Sequence, residues 1–198
     1  MPERTVKLAR KTNETDITVE LNLDPSKPGD YKIATGVGFF DHMLDHVARH
    51  GRLGLKVNAK GDTHIDDHHT VEDVGIVLGQ ALLEAIGDKK GIERYGDAAV
   101  PMDEALARVS IDLSGRPALA FDVTFTTPAA KIGQFDTQLV REFFQAVTQA
   151  GRFACHVEVP RGDNDHHVAE AIFKAFGRAL REAVNITGSD IPSTKGSL

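Results

Sequence analysis

Apolar residues recur along this chain with two different periods, and the switches between them mark out its elements. A period of two comes first: Ile17, Val19, Leu21 and Leu23 alternate with Thr18, Glu20 and Asn22, which predicts a strand with one buried face. Val6 to Ala9 predicts a shorter strand before it, and Asp24 to Asp30, with two Pro and one Gly, reads as a loop. From Gly36 the spacing becomes helical, through Phe39, Phe40, Met43 and Leu44, and predicts a helix to about His50 that Gly51 stops. Leu53 to Ala59 returns to strand. After the Gly61-Asp62-Thr63 turn a long helix is predicted through about Ile86, and Gly87 to Tyr95 reads as a polar connection.

The same succession then returns. Ala105 to Leu113 and Ala118 to Phe125 predict strands joined by the Ser114-Gly115-Arg116-Pro117 turn. Asp136 to Ala150 predicts an amphipathic helix, Phe153 to Val159 a strand and His166 to Val184 a final helix. The order is strand, strand, helix, strand, helix, twice, which divides the chain into half-domains over 1–95 and 96–198 of one compact unit. Gly51 and Gly151 end corresponding helices at an offset of 100, and at that offset His42 falls on Glu142. Such halves predict an α+β fold of four-stranded sheets with helices on one face. A sheet face left bare points to burial between halves or between chains, and so to a homo-oligomer.

Composition narrows the class. The 198 residues carry a net charge of −6 with 41% hydrophobic and 26% charged residues, an ordinary globular balance without a basic stripe for nucleic acid or a membrane surface. The first residues form no apolar leader and no 18-residue apolar span occurs, so cytoplasm is the expected location. Cys155 is the single cysteine, which leaves no disulfide within the chain and no thiolate cluster for a metal.

The chemistry concentrates at the starts of the two long helices. Asp67-His68-His69-Thr70-Val71-Glu72 and Asp165-His166-His167-Val168-Ala169-Glu170 are the same HHxxE run. Successive helical residues are turned by about 100°, so neighbouring imidazoles cannot both face one ion, whereas residues four apart share a face. His68 with Glu72, and His166 with Glu170, therefore form pincers, and His69 and His167 point elsewhere. One HH pair is an ordinary surface accident; two copies in a chain with nine His are not. Mixed imidazole and carboxylate donors suit manganese, iron or zinc. The simplest arrangement is two ions, each held by one pincer and the other helix's lone His.

Other residues carry alternatives. Glu14 is a solvated loop carboxylate or an acid/base group. Arg94 and Arg116 sit at turns, either for solubility or as bidentate forks for phosphate. Lys174 lies near the His166 face of its helix, while His46, His50 and His64 crowd the same region as surface or supporting groups. Asp41, Asp67 and Asp165 adjoin ligand candidates and are expected to orient imidazoles. The tail with Ser193, Thr194 and Lys195 reads as a loose end or a phosphate-binding strap.

Phe39-Phe40-Asp41-His42-Met43-Leu44-Asp45, the two HHxxE runs and Pro192-Ser193-Thr194-Lys195-Gly196 together resemble the imidazoleglycerol-phosphate dehydratase family, over essentially the whole chain. The resemblance implies a duplicated fold of the ribosomal protein S5 domain 2-like type, a 24-subunit assembly and two Mn2+ per chain. It implies His42, His69, His166 and Glu170 on one ion and His68, Glu72, Glu142 and His167 on the other. Glu142 stands where many members carry His, and His46 where Gln is common. Substrate contacts are implied at Glu14, the His42–His50 segment, Arg94, Arg116, Lys174 and Ser193–Lys195. The implied reaction is dehydration of D-erythro-imidazole-glycerol phosphate to imidazole acetol phosphate in histidine biosynthesis, through an imidazolate held by the two ions. On the residues alone, a metal-storage or sensing protein and a metal-dependent phosphatase stay open.

Overall fold

The computed structural model describes residues 4–27, 29–126 and 130–196. Pro28 of the expected loop, and Ser197 and Leu198 of the expected strap, lie outside the described residues. The first sheet has the order β1-β2-β4-β3, from Thr5–Lys11, Thr15–Asn22, Gly54–Gly61 and Tyr31–Ala34. The second has the order β5-β6-β10-β7, from Tyr95–Met102, Ala105–Asp112, Ala154–Arg161 and Ala118–Asp122. In each, the last strand pairs parallel and the others antiparallel, so the sheets are topological copies. Helices α1 (Gly38–Gly51) and α2 (His68–Ile86) belong to the first half, α3 (Gln138–Gly151) and α4 (Asp165–Ala183) to the second. The fold is α+β and internally duplicated.

Each four-stranded sheet holds one strand more than the hydrophobic pattern predicts. The additions are β3 and β5, both edge strands. Only Tyr31 and Ile33 of β3 turn inward, too few for a periodic signal. In β5 the signal is diluted by small residues and by Pro101, which an edge tolerates because no neighbour needs its N–H. Gly96 in β5 is required by packing: a Cβ there would lie 2.0 Å from the Ala179 carbonyl oxygen of α4. A small hairpin, β8 (Lys131–Ile132) and β9 (Phe135–Asp136), turns at Gly133, whose φ of +64° suits glycine.

α2 covers β1 and β2, α4 covers β5 and β6, and the halves meet through their helices, α1 on α4 and α2 on α3. Both crossings rest on a glycine pair at equivalent positions. A Cβ on Gly177 would stand 2.7 Å from the Val47 carbonyl oxygen, and one on Gly79 would stand 2.5 Å from that of Val147. Gly51 and Gly151 face these crossings, 3.1 and 3.2 Å from the Gly177 and Gly79 oxygens in the same construction. The left-handed cap expected of a helix-stopping glycine is instead taken by Arg52 and Arg152, at φ 54° and 53°. These glycines mark the helix ends because backbones meet there. Phe143 joins the halves, its ring 5.4 Å from Phe40 and 5.3 Å from Phe173.

The outer faces of the sheets are polar. Lys7, Glu20 and Lys56 form an ion-paired row on one, and Asp97, Arg108, His156 and Glu158 stand exposed on the other. Among the described residues these faces offer few large apolar side chains to bury, Tyr95 at 54% exposure being one.

Candidate metal centre

The α1–α4 crossing brings together His42 and His46 from α1 with His166, Glu170 and Lys174 from α4. The Glu170 side chain is only 8% exposed and is gripped from every polar side. His166 Nε2 lies 3.1 Å and His42 Nε2 3.4 Å from its Oε2, while His46 Nε2 lies 3.4 Å and Lys174 Nζ 2.5 Å from its Oε1. Burial alone would raise the Glu170 carboxyl, but Lys174, His46 and His166 override it and hold the group at about 2. Burial also pushes the His46 imidazolium down to about 4, so this ring is neutral near pH 7. His50 stacks on His46 at 5.7 Å and is likewise lowered, chiefly by burial. A neutral His46 imidazole and an ionised Glu170 carboxylate, with His42, His46 and Glu170 donor atoms all within 4.8 Å of one another, are donors suited to a divalent ion.

Pseudo-symmetry places His68 and Glu72 of α2 and Glu142 of α3 in the corresponding position. His68 and Glu142 line one open cavity of about 440 Å³ with Asp66, Asp67, Lys131 and Gln138. Glu72 lies on the His68 face of α2, four residues on.

The lone histidines, each expected to complete the other helix's pincer, are held by carboxylates of their own half within one chain. His69 sits 3.0 Å through Nδ1 from Asp62, and 3.9 Å from Glu14. His167 sits 2.7 Å through Nδ1 from Glu104 and 3.8 Å through Nε2 from Asp103. Each ring turns toward the β-turn of its own half, as the 100° step predicts. Glu104 is held down at about 2, first by His167 and then by backbone N–H groups including those of Asp163 and Asn164. Asp62 pulls the His69 imidazolium upward through its hydrogen bond.

A family model for imidazoleglycerol-phosphate dehydratase matches residues 35–180, which spans both pincers and both crossings. The chain belongs to the imidazoleglycerol-phosphate dehydratase family. It is an enzyme of that hydro-lyase class. Curated relatives bearing the family name include one from Caldicellulosiruptor saccharolyticus, 56% identical over the full length of both chains. Another, from Jannaschia sp., is 58% identical and covers 98% of this chain and all of its own. The crystal structure of the Staphylococcus aureus dehydratase superposes with a TM-score of 0.82 at 45% identity, covering 92% of this chain and 99% of that one. The Pyrococcus furiosus structure gives 0.82 at 36%, covering 96% and 100%.

Of the remaining residues singled out for the dehydratase chemistry, Lys174 stands at the Glu170 cluster, whereas Arg94 and the tail lie at the far end of α4, where the Arg94 N–H donates to the Ala183 carbonyl at 2.9 Å. Arg94, in a left-handed conformation, is already committed: its fork donates to Asp112 at 2.7 and 3.2 Å and to the Pro192 carbonyl at 2.9 Å. It fastens the root of the tail, in which Ser193 Oγ accepts from the Lys195 N–H at 3.2 Å and Thr194 is exposed. Arg116 is exposed; its guanidinium donates to the Ser114 carbonyl of its own turn at 3.4 Å and its backbone N–H to Ser114 Oγ at 3.3 Å. Lys89 lies outside the residues singled out from the sequence. It is buried beside Asp112 and the Arg152, Arg94 and Arg116 guanidiniums, and its ammonium is lowered chiefly by burial. Lys174 reaches Glu170 and the Met102 sulfur, and His64 is exposed on the loop before α2.

Of the three aspartates expected to orient imidazoles, Asp41 accepts from Thr35 and Asp165 from the N–H and hydroxyl of Thr126. Asp67 lines the cavity beside His68. The orienting role belongs to Asp62 and Glu104, which lie seven residues and 63 residues from the rings they hold. No local motif marks either. His46, expected as a surface or supporting group, joins His42 on Glu170, and its place one turn after His42 on α1 was the available signal.

Proposed function

We propose that this chain dehydrates D-erythro-imidazole-glycerol phosphate to imidazole acetol phosphate in the cytoplasmic pathway of histidine synthesis, with two Mn2+ per chain. The observation that carries this is the buried Glu170 carboxylate gripped by His42, His46 and His166, in a chain of this family. His42, His166 and Glu170 would hold one ion, and His68, Glu72 and Glu142 the other. His69 and His167 face away from these groups within the chain, so each completes a site of another copy. That sharing, rather than an apolar face, is the reason for a closed homo-oligomer of about 24 chains, the size the family resemblance implies.

When bound, the ions act as Lewis acids that favour the deprotonated substrate ring. The chain's own groups do the rest. Glu14, 55% exposed on its turn beside His69, is free to take the proton from the carbon next to the one that loses its hydroxyl. Hydroxide and proton leave as water, and the enol so formed tautomerises to the ketone. Lys174 beside Glu170, together with Arg116, Lys195 and the Ser193 and Thr194 hydroxyls brought by another copy, holds the phosphate as a positioning handle. Arg94 and Lys89 add positive charge, and Arg94 anchors the strap.

Mn2+-loaded protein supplied with the substrate should form ketone without releasing phosphate and lose that activity on chelation. Free phosphate would turn the reading to a phosphatase, and bound metal without turnover to storage or sensing. Light scattering should show a particle of many chains that weakens when metal is stripped; an active monomer would refute the shared sites.

A further inference from the structure

Superposing the halves by their own strand registers gives Glu14 a counterpart. Asn22 pairs with Gly54 and Asp112 with Ala154, which sets β2 against β6 at an offset of 90 and lays Glu14 on Glu104. After Glu158 the register of β10 shifts by one, so that Arg161 faces Leu106 as Lys60 faces Asp16. Gly162 then corresponds to Gly61, and Asp163 to Asp62. The glycines confirm the shift. A Cβ on Gly61 would run into Thr70, one residue past His69, and a Cβ on Gly162 into Val168, one residue past His167.

Counted from those glycines, His68 follows after seven residues and His166 after four. The loop into α4 is therefore three residues shorter, and its Asp163 cannot fold back over the lone imidazole. Glu104 takes the place: Oε2 accepts from His167 Nδ1 at 2.7 Å, while Oε1 accepts the Asp163 and Asn164 N–H groups at 3.2 and 3.0 Å. In the first half the longer loop returns Asp62 to His69, at 3.0 and 3.2 Å, and Glu14 is left 3.9 Å from the ring, within 4.8 Å of Asp62 and with no second ion pair among the described residues.

We propose that this three-residue difference in loop length divides the labour of two equivalent glutamates: Glu104 is a positioning residue that fixes His167, whereas Asp62 fixes His69 and so releases Glu14 for the reaction. An ionised carboxylate only accepts, so its contact places the proton on Nδ1 and turns the Nε2 lone pair outward as a ligand. The proposal rests on the metal sites argued above, but its test reads metal affinity and not only turnover.

Glu104→Gln keeps the shape and leaves one oxygen where two are needed. With that oxygen on the loop N–H groups, the amide NH2 faces Nδ1 and forces the proton to Nε2. Titration of chelator-stripped protein with Mn2+ should then show one of two sites weakened by roughly 10–100-fold and the other unchanged, with metal-free thermal stability near the parent's. Glu14→Gln should bind both ions as the parent does yet lose turnover. In Asp62→Ala, Glu14 is the nearest carboxylate left for His69, so metal binding should be partly retained while kcat falls; the double variant Asp62→Ala/Glu14→Gln should lose the site. Parent-like affinity at both sites in Glu104→Gln, or equal weakening of metal by Glu14→Gln and Asp62→Ala, would overturn the division. Two tight sites in the parent without dehydration would fault the proposed reaction and leave this division standing.

Discussion

The α1–α4 and α2–α3 crossings share one design and differ in what surrounds the carboxylate. Both rest on a glycine pair and both present a histidine and a glutamate four residues apart. At the first, Lys174 and His46 close on Glu170. At the second, offsets of 98 and 100 put Ile76 and Ala146 in those two places, and His42 becomes Glu142. The first group is thus pre-assembled around an ion-paired carboxylate, whereas in the second His68 and Glu142 line an open cavity with Lys131. A duplicated scaffold fixes where ligands stand, and a few substitutions decide whether they wait closed or open.

The comparison breaks most visibly at Glu170. Glu170→Gln should lower turnover by more than ~100-fold, beyond the cost of losing a supporting contact; parent-like turnover would show that the closed cluster is not the working centre. Next come the crossings themselves. Gly79→Ala meets three atoms within 3.0 Å and Gly177→Ala one, so the former should cost more, in the range of ~1–3 kcal/mol by thermal or denaturant unfolding. Equal, negligible costs would mean that the close approach is dispensable.

Glu142→Gln tests the open site. A solvated helix glutamate tolerates that change within about 0.5 kcal/mol. A ligand does not: one Mn2+ should bind at least roughly tenfold more weakly, and Glu142→His should restore part of the loss. Normal binding of two ions by Glu142→Gln would remove that residue from the site.

The smallest effect is acid sensitivity of the metal-free protein. His46 is lowered from 6.5 to about 4 by burial, so between those values only the unfolded chain takes up its proton, and stability falls as pH falls. Glu170, lowered from 4.5 to about 2, continues the trend below pH 4.5. Thermal unfolding temperature should therefore drop on acidification from pH 6.5, and His46→Gln should flatten the upper part of that drop. Because Ala146 occupies the equivalent place, no matching contribution arises at the other crossing. An unchanged profile in His46→Gln would deny His46 its buried role.

Much of this was legible without coordinates. The four helices, six of the longer strands, the duplication and both pincers follow from periodicity and from the 100° step between adjacent histidines, because those are properties of consecutive residues. β3 and β5 were not legible, since edge strands bury little and β5 is shaped by the close approach of α4 at Gly96. Gly51 and Gly151 were placed at helix ends for a reason the structure replaces: they serve a neighbouring helix, not the turn of their own chain.

The sequence alone determined that two His/Glu pincers exist, that each has an imidazole it cannot use, and that Glu142 is the partner of His42 in the repeat. Tertiary structure decided which carboxylate holds each spare imidazole. Glu104 and His167 are 63 residues apart and meet where the register of β10 shifts and its loop into α4 is short. Tertiary structure also brought His46 and Lys174 onto Glu170, and tied Arg94 to Asp112 and the tail. These are encounters between separate elements, set by how closely glycine-lined helices approach and by where loops end, and no local pattern of residues encodes such distances.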